Sequence, residues 1–374
     1  MSRPGVRSVL FTGYAPVHFL CFLPIYERLI CDPQFDVFVS GGLRTKHEHG
    51  VSHDARGLYE PLGVPEHRVL SFEEIQGRDF DLLFGANTKP ISPRRAHARI
   101  QIFHGISFRN VAIREEILAW DYFFLVGPYM RRRFVELKLL AENDPRALNI
   151  GFPKTDRLIN GTLDRVAILA REGFDGSRPV VLYAPTGQKY NSLETMGEEV
   201  VQRLAAGGAV DVLIKLHDHP REGTDWRARL APLEGAHVRV AREADVIPLL
   251  FAADLLITDA SSVSSEYSLL DRPLVFLDVP KLISKSQQKN ASLDLQTWGR
   301  RCGVLVEKPE QIVAAVESGL RNRGDFGSLR REMAADLFYQ PGRAADAAIQ
   351  QVHRIVAERC DAGTRAEVQG VTSR

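Results

Sequence analysis

The stretch Leu255-Leu256-Ile257-Thr258-Asp259-Ala260-Ser261-Ser262-Val263-Ser264-Ser265-Glu266 sets the reading of the whole chain. A short apolar run stops at an acid, and hydroxyls follow just where the helical spacing of Tyr267-Ser268-Leu269-Leu270 begins. A buried strand handing over to a helix start is the repeating half of a βαβ unit. Similar runs recur on both sides. Ser8–Phe11, Phe35–Val39, Asp81–Phe84, Ile100–Phe103 and Tyr122–Val126 are expected as strands in the first half. Pro179–Tyr183, Val210–Ile214, His237–Val240, Leu255–Thr258 and Pro273–Leu277 are expected in the second. Each half therefore carries the content of one doubly wound parallel-sheet domain, and the fold class is α/β with two such Rossmann-like domains.

The length agrees, since 374 residues with 44% apolar and 25% charged side chains exceed one core of ordinary size. The charged segment Leu163–Arg178, ending in Gly173, Gly176 and Pro179, is the expected crossing. The division is 1–165, 166–342, a C-terminal helix over 343–360 and a polar, frayed tail over 361–374. A formal charge of +1 gives no global field toward nucleic acid, and no aromatic residues interleave with a sustained basic stripe. Four cysteines without a C-x-x-C pair argue against a disulfide framework and against thiolate zinc. Tyr14, Pro16, His18, Pro24 and Glu27 interrupt the apolar N-terminal stretch, so neither a signal peptide nor a transmembrane span is read there. No P-loop and no G-x-G-x-x-G fingerprint is present.

Ligands of doubly wound domains sit beyond the carboxyl ends of strands, which singles out four segments. Ile100–Phe103 runs into His104-Gly105, an imidazole suited to proton transfer or, equally, to capping. Val212–Lys215 leads to His217-Asp218-His219-Pro220, where Pro220 favours a turn, and Lys215 reads as a phosphate contact or an edge residue. Ser261 and Ser262 offer hydroxyls and amides to a phosphate, or simply cap the helix. Glu266, a turn inside, reaches a ribose hydroxyl or only complements the dipole. Tyr183-Ala184-Pro185-Thr186-Gly187-Gln188-Lys189 is a strand end followed by a turn and a basic residue.

In this order and spacing the four segments resemble the CDP-glycerol glycerophosphotransferase family of teichoic-acid polymerases and primases. Phe103-His104-Gly105-Ile106 is similar to its first histidine motif, and Tyr183-Ala184-Pro185-Thr186 matches its loop without change. Lys215-Leu216-His217 is similar to the second histidine motif, with His219 as the fallback. Asp259-Ala260-Ser261-Ser262 carries Ala where the motif has Tyr, and Gly151, Pro153 and Asp156 form a weaker element. The resemblance covers roughly 81–343. It implies a GT-B architecture of two Rossmann-like domains facing a cleft, the first for the acceptor and the second for the nucleotide donor. It further implies transfer of a phosphoalditol from a CDP-activated donor to an acceptor hydroxyl with release of CMP, in cell-envelope or surface-polysaccharide synthesis. His104 would be the general base and His217 the donor-phosphate stabiliser or acid, with their order interchangeable. Gly105, Thr186, Lys189, Lys215, Asp259, Ser261, Ser262 and Glu266 would hold the donor, with no metal and no cofactor. The expected place is the cytoplasm, with a lipid-linked or polysaccharide acceptor at the inner membrane face. The alternatives are a GT-B glycosyltransferase or UDP-sugar epimerase-like enzyme, which shares the diphosphate site, and a non-catalytic nucleotide-binding protein.

Two further patterns stand outside this scheme. His47-x-His49-x-x-x-His53 has metal-like spacing but reads as a polar, acceptor-facing loop. Met130-Arg131-Arg132-Arg133-Phe134 reads as a basic helix with one core face, able to rest on anionic headgroups.

Overall fold

The computed structural model describes residues 5–47, 50–106, 112–217, 223–289, 294 and 296–361. These form two compact units. The first holds the described residues up to Gly105, Ala112–Asp156 and those from Phe338 onward; the second holds Ile106 and Arg157–Leu337. The chain leaves the first unit after Asp156, ahead of the expected Leu163–Arg178 segment. The C-terminal helix, observed at Ala344–Val356, belongs to the first unit and does not stand apart.

The first unit contains β1 (Arg7–Gly13), β2 (Phe35–Gly41), the antiparallel hairpin β3 (Leu43–His47) and β4 (Gly50–Asp54), β5 (Asp79–Gly85), β6 (Arg95–Gln101), β7 (Tyr122–Leu125) and β8 (Ala147–Asn149). Its main sheet is parallel in the order β2-β1-β5-β6-β7-β8. The second unit contains β9 (Val180–Ala184), β10 (Asp211–Ile214), β11 (Val238–Val240), β12 (Leu255–Thr258), β13 (Leu274–Leu277) and β14 (Val304–Val306). Its order is β11-β10-β9-β12-β13-β14, also parallel, which is the dinucleotide-fold order with its switch between β9 and β12. Both units are doubly wound parallel-sheet domains. Each sheet has six strands where five apolar runs were expected.

The strands are buried on both faces, as covering helices require, so their sequences are nearly continuous apolar runs. Val9, Leu10, Phe11, Leu82, Leu83 and Phe84 are fully buried, and the Phe11 and Phe84 rings stack at 4.7 Å. In the second unit Val181, Tyr183, Val212, Ile214, Leu255, Ile257, Val275 and Leu277 share one core. Carboxylates fasten the amino ends of neighbouring strands. Asp81 accepts from the Ser8 amide at 2.8 Å, Asp121 from the Arg99 amide at 2.8 Å, and Asp254 from the Val180 amide at 2.9 Å. Each ties one strand's start to its neighbour and leaves the carboxyl ends for other work.

The helix Ala344–Val356 is held at its start by Asp156, whose carboxylate accepts the Ala344 amide at 3.0 Å and the Ala345 amide at 2.8 Å. Gly151 packs its Cα against the Tyr339 carbonyl with φ +101°, where a side chain would collide. The weak glycine-to-aspartate element is thus a staple for the returning chain. Burial pushes the Asp156 carboxyl above its ordinary range, against the pull of the two amides. Asp156→Ala orphans both donors and should cost about 2 kcal/mol, read as faster amide exchange across 344–356. A raised pKa means the proton favours the folded state. The extra stability is complete below the unfolded carboxyl's value, ~3.9, and is lost as pH rises through the folded one. Asp156→Asn should flatten that dependence of exchange on pH.

Candidate functional site

Beyond β6 the chain turns sharply. The strand ends at Gln101, two residues before the expected Phe103, because Phe103 takes a left-handed φ of 57° and Gly105 a φ of 140°. Such a conformation in a fully buried phenylalanine is held by its surroundings. The buried Gln101 accepts the Phe103 amide at 2.8 Å and donates to the Asn87 carbonyl at 2.6 Å, clamping the turn to the end of β5. His104 is thereby presented at the surface, with Nδ1 2.6 Å from the Ala86 carbonyl oxygen. A carbonyl only accepts, so Nδ1 carries the proton and the lone pair of the neutral ring lies on Nε2.

His18 lies beside it. It occupies the first turn of the helix Pro16–Ile30, is 3% exposed, and its ring centroid is 5.2 Å from that of His104. In the sequence His18 is only one interruption of an apolar stretch. The signal was Gly13-Tyr14-Ala15-Pro16, a strand end, a turn and a proline helix start. Asn87, next to Ala86 and 4% exposed, has a buried Oδ1 without a hydrogen-bond partner.

The second unit's site gathers at its switch point. Asp259 follows β12, is fully buried, and accepts the Thr186 amide at 2.9 Å and the Ala260 amide at 2.6 Å on Oδ1. Its Oδ2 accepts the Ser192 amide and hydroxyl, each at 2.9 Å. The Tyr183 phenol, whose pKa burial raises, hydrogen-bonds the Ser192 hydroxyl at 2.8 Å. Asp259 was expected to contact the donor; its oxygens are instead committed to fixing the loop after β9. Thr186 is buried within that loop and Lys189 is exposed at its tip.

Ser261 is 8% exposed and Ser262 partly so, and neither caps the short helix Val263–Ser268 in the usual way. Ser262 has helical backbone angles and makes no side-chain cap bond; the Ser264 hydroxyl donates to the Ser261 carbonyl at 2.9 Å. Glu266 is buried, 2% exposed, rather than open to a ribose. Lys215 is buried beyond β10 and its ammonium donates to the Leu216 carbonyl at 2.9 Å, while His217 is exposed. His219 lies outside the described residues. Ala260, the departure from the motif's tyrosine, is fully buried against Leu282 and Ile283 of the helix Pro280–Lys289. That helix sets Lys281 Nζ 4.1 Å from the Tyr190 ring, a contact the sequence reading did not foresee.

The patterns outside the scheme resolve differently. His53 lies in the β3–β4 hairpin, not in a loop, and stacks on Phe72 at 5.1 Å. Among the described residues no group of three His, Cys, Asp or Glu could hold a metal ion. In the helix Pro128–Glu136, Arg131 donates to Asn149, the Ala147 carbonyl and the Glu142 carbonyl, and Arg133 pairs with Glu136. Those guanidinium groups serve the fold before any headgroup. Among the described residues no helix is long and apolar enough to cross a membrane.

The model of the CDP-Glycerol:Poly(glycerophosphate) glycerophosphotransferase family matches residues 87–354, most of the chain and all of the motif segments above. The chain belongs to this family. It is 26% identical over 214 residues to the teichoic acid poly(glycerol phosphate) polymerase of Bacillus subtilis (strain 168), covering 54% of this chain and 27% of that protein. It is 26% identical over 180 residues to the teichoic acid glycerol-phosphate primase of the same organism, covering 47% of this chain and 44% of that protein. The matched region thus spans from about a quarter to less than half of these relatives. The solved wall teichoic acid polymerase TagF superposes with a TM-score of 0.67 at 17% identity, covering 95% of this chain and 91% of that one, and shares the GT-B fold.

Asp259→Ala leaves four buried donor groups facing an apolar side chain and should lower the unfolding free energy by at least about 3 kcal/mol. Asp259→Asn, which keeps one acceptor oxygen, should lose less. Denaturant unfolding checks the order, with amide exchange at Thr186 and Ser192 accelerated in both variants.

Proposed function

We propose that this protein transfers a phosphoalditol, glycerol phosphate or a close relative, from a CDP-activated donor to an acceptor hydroxyl and releases CMP. The observation that carries the reading is the fixed tautomer of His104, a base on the strand end where this family's first histidine motif falls. The first unit takes the acceptor and the second the donor. The acceptor hydroxyl gives its proton to His104 Nε2 while its oxygen attacks the phosphorus that bears the alditol. The pyrophosphate bridge breaks, and CMP leaves with the bonding electrons on its phosphate oxygen.

Charge gathers on that leaving phosphate, and preorganised donors lower its energy most where water is excluded. His217, Lys215 and Lys189 supply the positive or proton-donating groups. Ser261, Ser262 and Thr186 supply hydroxyls, and Gly105 lets the donor approach the backbone. Glu266 supports the helix that carries the serines. Asp259 acts one step back, holding the Thr186 loop in register with β12. A solved TagF variant soaked with CDPG supports the donor class. The acceptor is a lipid-linked or polysaccharide chain at the inner membrane face, reached by an enzyme that rests there peripherally from the cytoplasm.

The test is a donor screen with CDP-glycerol, CDP-ribitol, UDP-GlcNAc and UDP-glucose in the presence of a membrane extract. CMP should appear from a CDP-alditol alone, and both His104→Ala and His217→Ala should slow it by roughly 100-fold or more. UDP release from a UDP-sugar would instead make the protein a glycosyltransferase. Tight nucleotide binding without turnover would make it a binding protein.

A further inference from the structure

The first sheet changes direction between β1 and β5, since β1 has β2 on one side and β5 on the other. Ligands of doubly wound sheets gather where the order reverses. His18 follows β1, Ala86 and Asn87 follow β5, and His104 follows β6, so the buried histidine stands at the reversal itself. Three features fix it there. Its Nδ1 accepts the Tyr14 amide at 3.2 Å, which leaves the ring proton on Nε2. The Tyr14 ring meets it edge-on at 4.4 Å. A Cβ on Gly13 would lie 2.8 Å from the Cβ of His18, so this approach of strand end to helix start needs glycine.

We propose that His18 is a positioning residue for His104. Its ring, immobilised by the Tyr14 amide and packed at a 57° tilt against the His104 ring, keeps that imidazole seated on the Ala86 carbonyl with Nε2 as the basic nitrogen. The two histidines carry opposite tautomers, and each is set by a backbone group rather than by solvent. The Ala86 carbonyl selects which nitrogen of His104 is protonated, and the His18 ring limits rotation about its side-chain bonds. Without that wall the ring swings away from the carbonyl and samples both tautomers. The inference rests on the transfer reading in taking His104 as the base, but the geometry it invokes does not.

The experiment uses the full chain with 15N-labelled histidine. His18→Asn is the informative variant, because the Asn Oδ1 replaces Nδ1 as acceptor for the Tyr14 amide while the ring is lost; His18→Phe keeps a ring and loses the acceptor. In the wild type, long-range 15N correlation spectra should show His104 protonated at Nδ1 and His18 at Nε2. In folded His18→Asn the His104 nitrogens should move to averaged shifts. The kcat for CMP release from CDP-glycerol should fall roughly 10- to 100-fold, the scale of a misplaced catalytic group, with KM for the donor little changed. His18→Phe should recover part of that loss. Adding His18→Asn to His104→Ala should cost nothing more, as two residues acting through one function are not additive.

A folded His18→Asn with an unmoved His104 tautomer and wild-type kcat would overturn the proposal, as would a full additional loss in the double variant. If the wild type releases no CMP, the transfer reading fails by itself. The tautomer spectra then still decide whether His18 holds His104 in place.

Discussion

A carboxylate cut off from water must find its partners inside the chain, and Asp259 finds four donor groups on two separate segments. The desolvation of that charge would be prohibitive if any of them moved away. The loop after β9 and the loop after β12 are therefore one object. Thr186, Ser192 and Ala260 have settled positions because the same carboxylate holds their amides. The arrangement uses both carboxylate oxygens, which an amide cannot imitate and which explains why an acid stands at this position.

The two sheets divide their ends between stability and chemistry. At the amino ends Asp81, Asp121 and Asp254 accept amides from adjacent strands, and arginines close the pairs, Arg7 on Asp81, Arg99 on Asp121 and Arg165 on Asp254. These partly exposed ion pairs add little each, but the charge-assisted amide bonds fix strand starts. At the carboxyl ends the chain keeps glycine, proline and hydroxyls, with left-handed Phe103 after β6 and Tyr190 after β9. The strain at Phe103, beside which His104 is displayed, is held by the Gln101 clamp.

Much of this was legible beforehand because a parallel sheet buried on both faces writes itself as apolar runs. All ten expected runs overlap observed strands; Leu255–Thr258 coincides at both ends, and the others shift at one end or both. The strands Leu43–His47 and Gly50–Asp54 escaped because they are largely polar and their described side chains are largely exposed, so no buried face imposes a period. The strands Ala147–Asn149 and Val304–Val306 escaped because they are short and only partly buried, so their residues do not stand out as an apolar run. The motif residues follow strand ends, yet their orientation was not written in them. Asp259 turns to the backbone, Glu266 is buried, and Phe103 leaves the strand. A sequence names the group that will be present but not the direction in which tertiary packing aims it. His18 was hidden for the same reason, being one of several buried side chains on an apolar helix.

The return of the chain at Phe338 has a consequence for synthesis. The helix Ala344–Val356 and its seat on Asp156 are made only after every residue of the second unit has been translated. Domains fold as they emerge, at a pace set by the ribosome. The first unit must therefore wait, with the place of this returning helix unfilled, while Arg157–Leu337 is produced and folds. For that interval its apolar surface facing the missing Ala345, Ala348, Val352 and Ile355 is a natural target for chaperones. Completion of the His104 side of the protein thus waits on translation of the whole second unit.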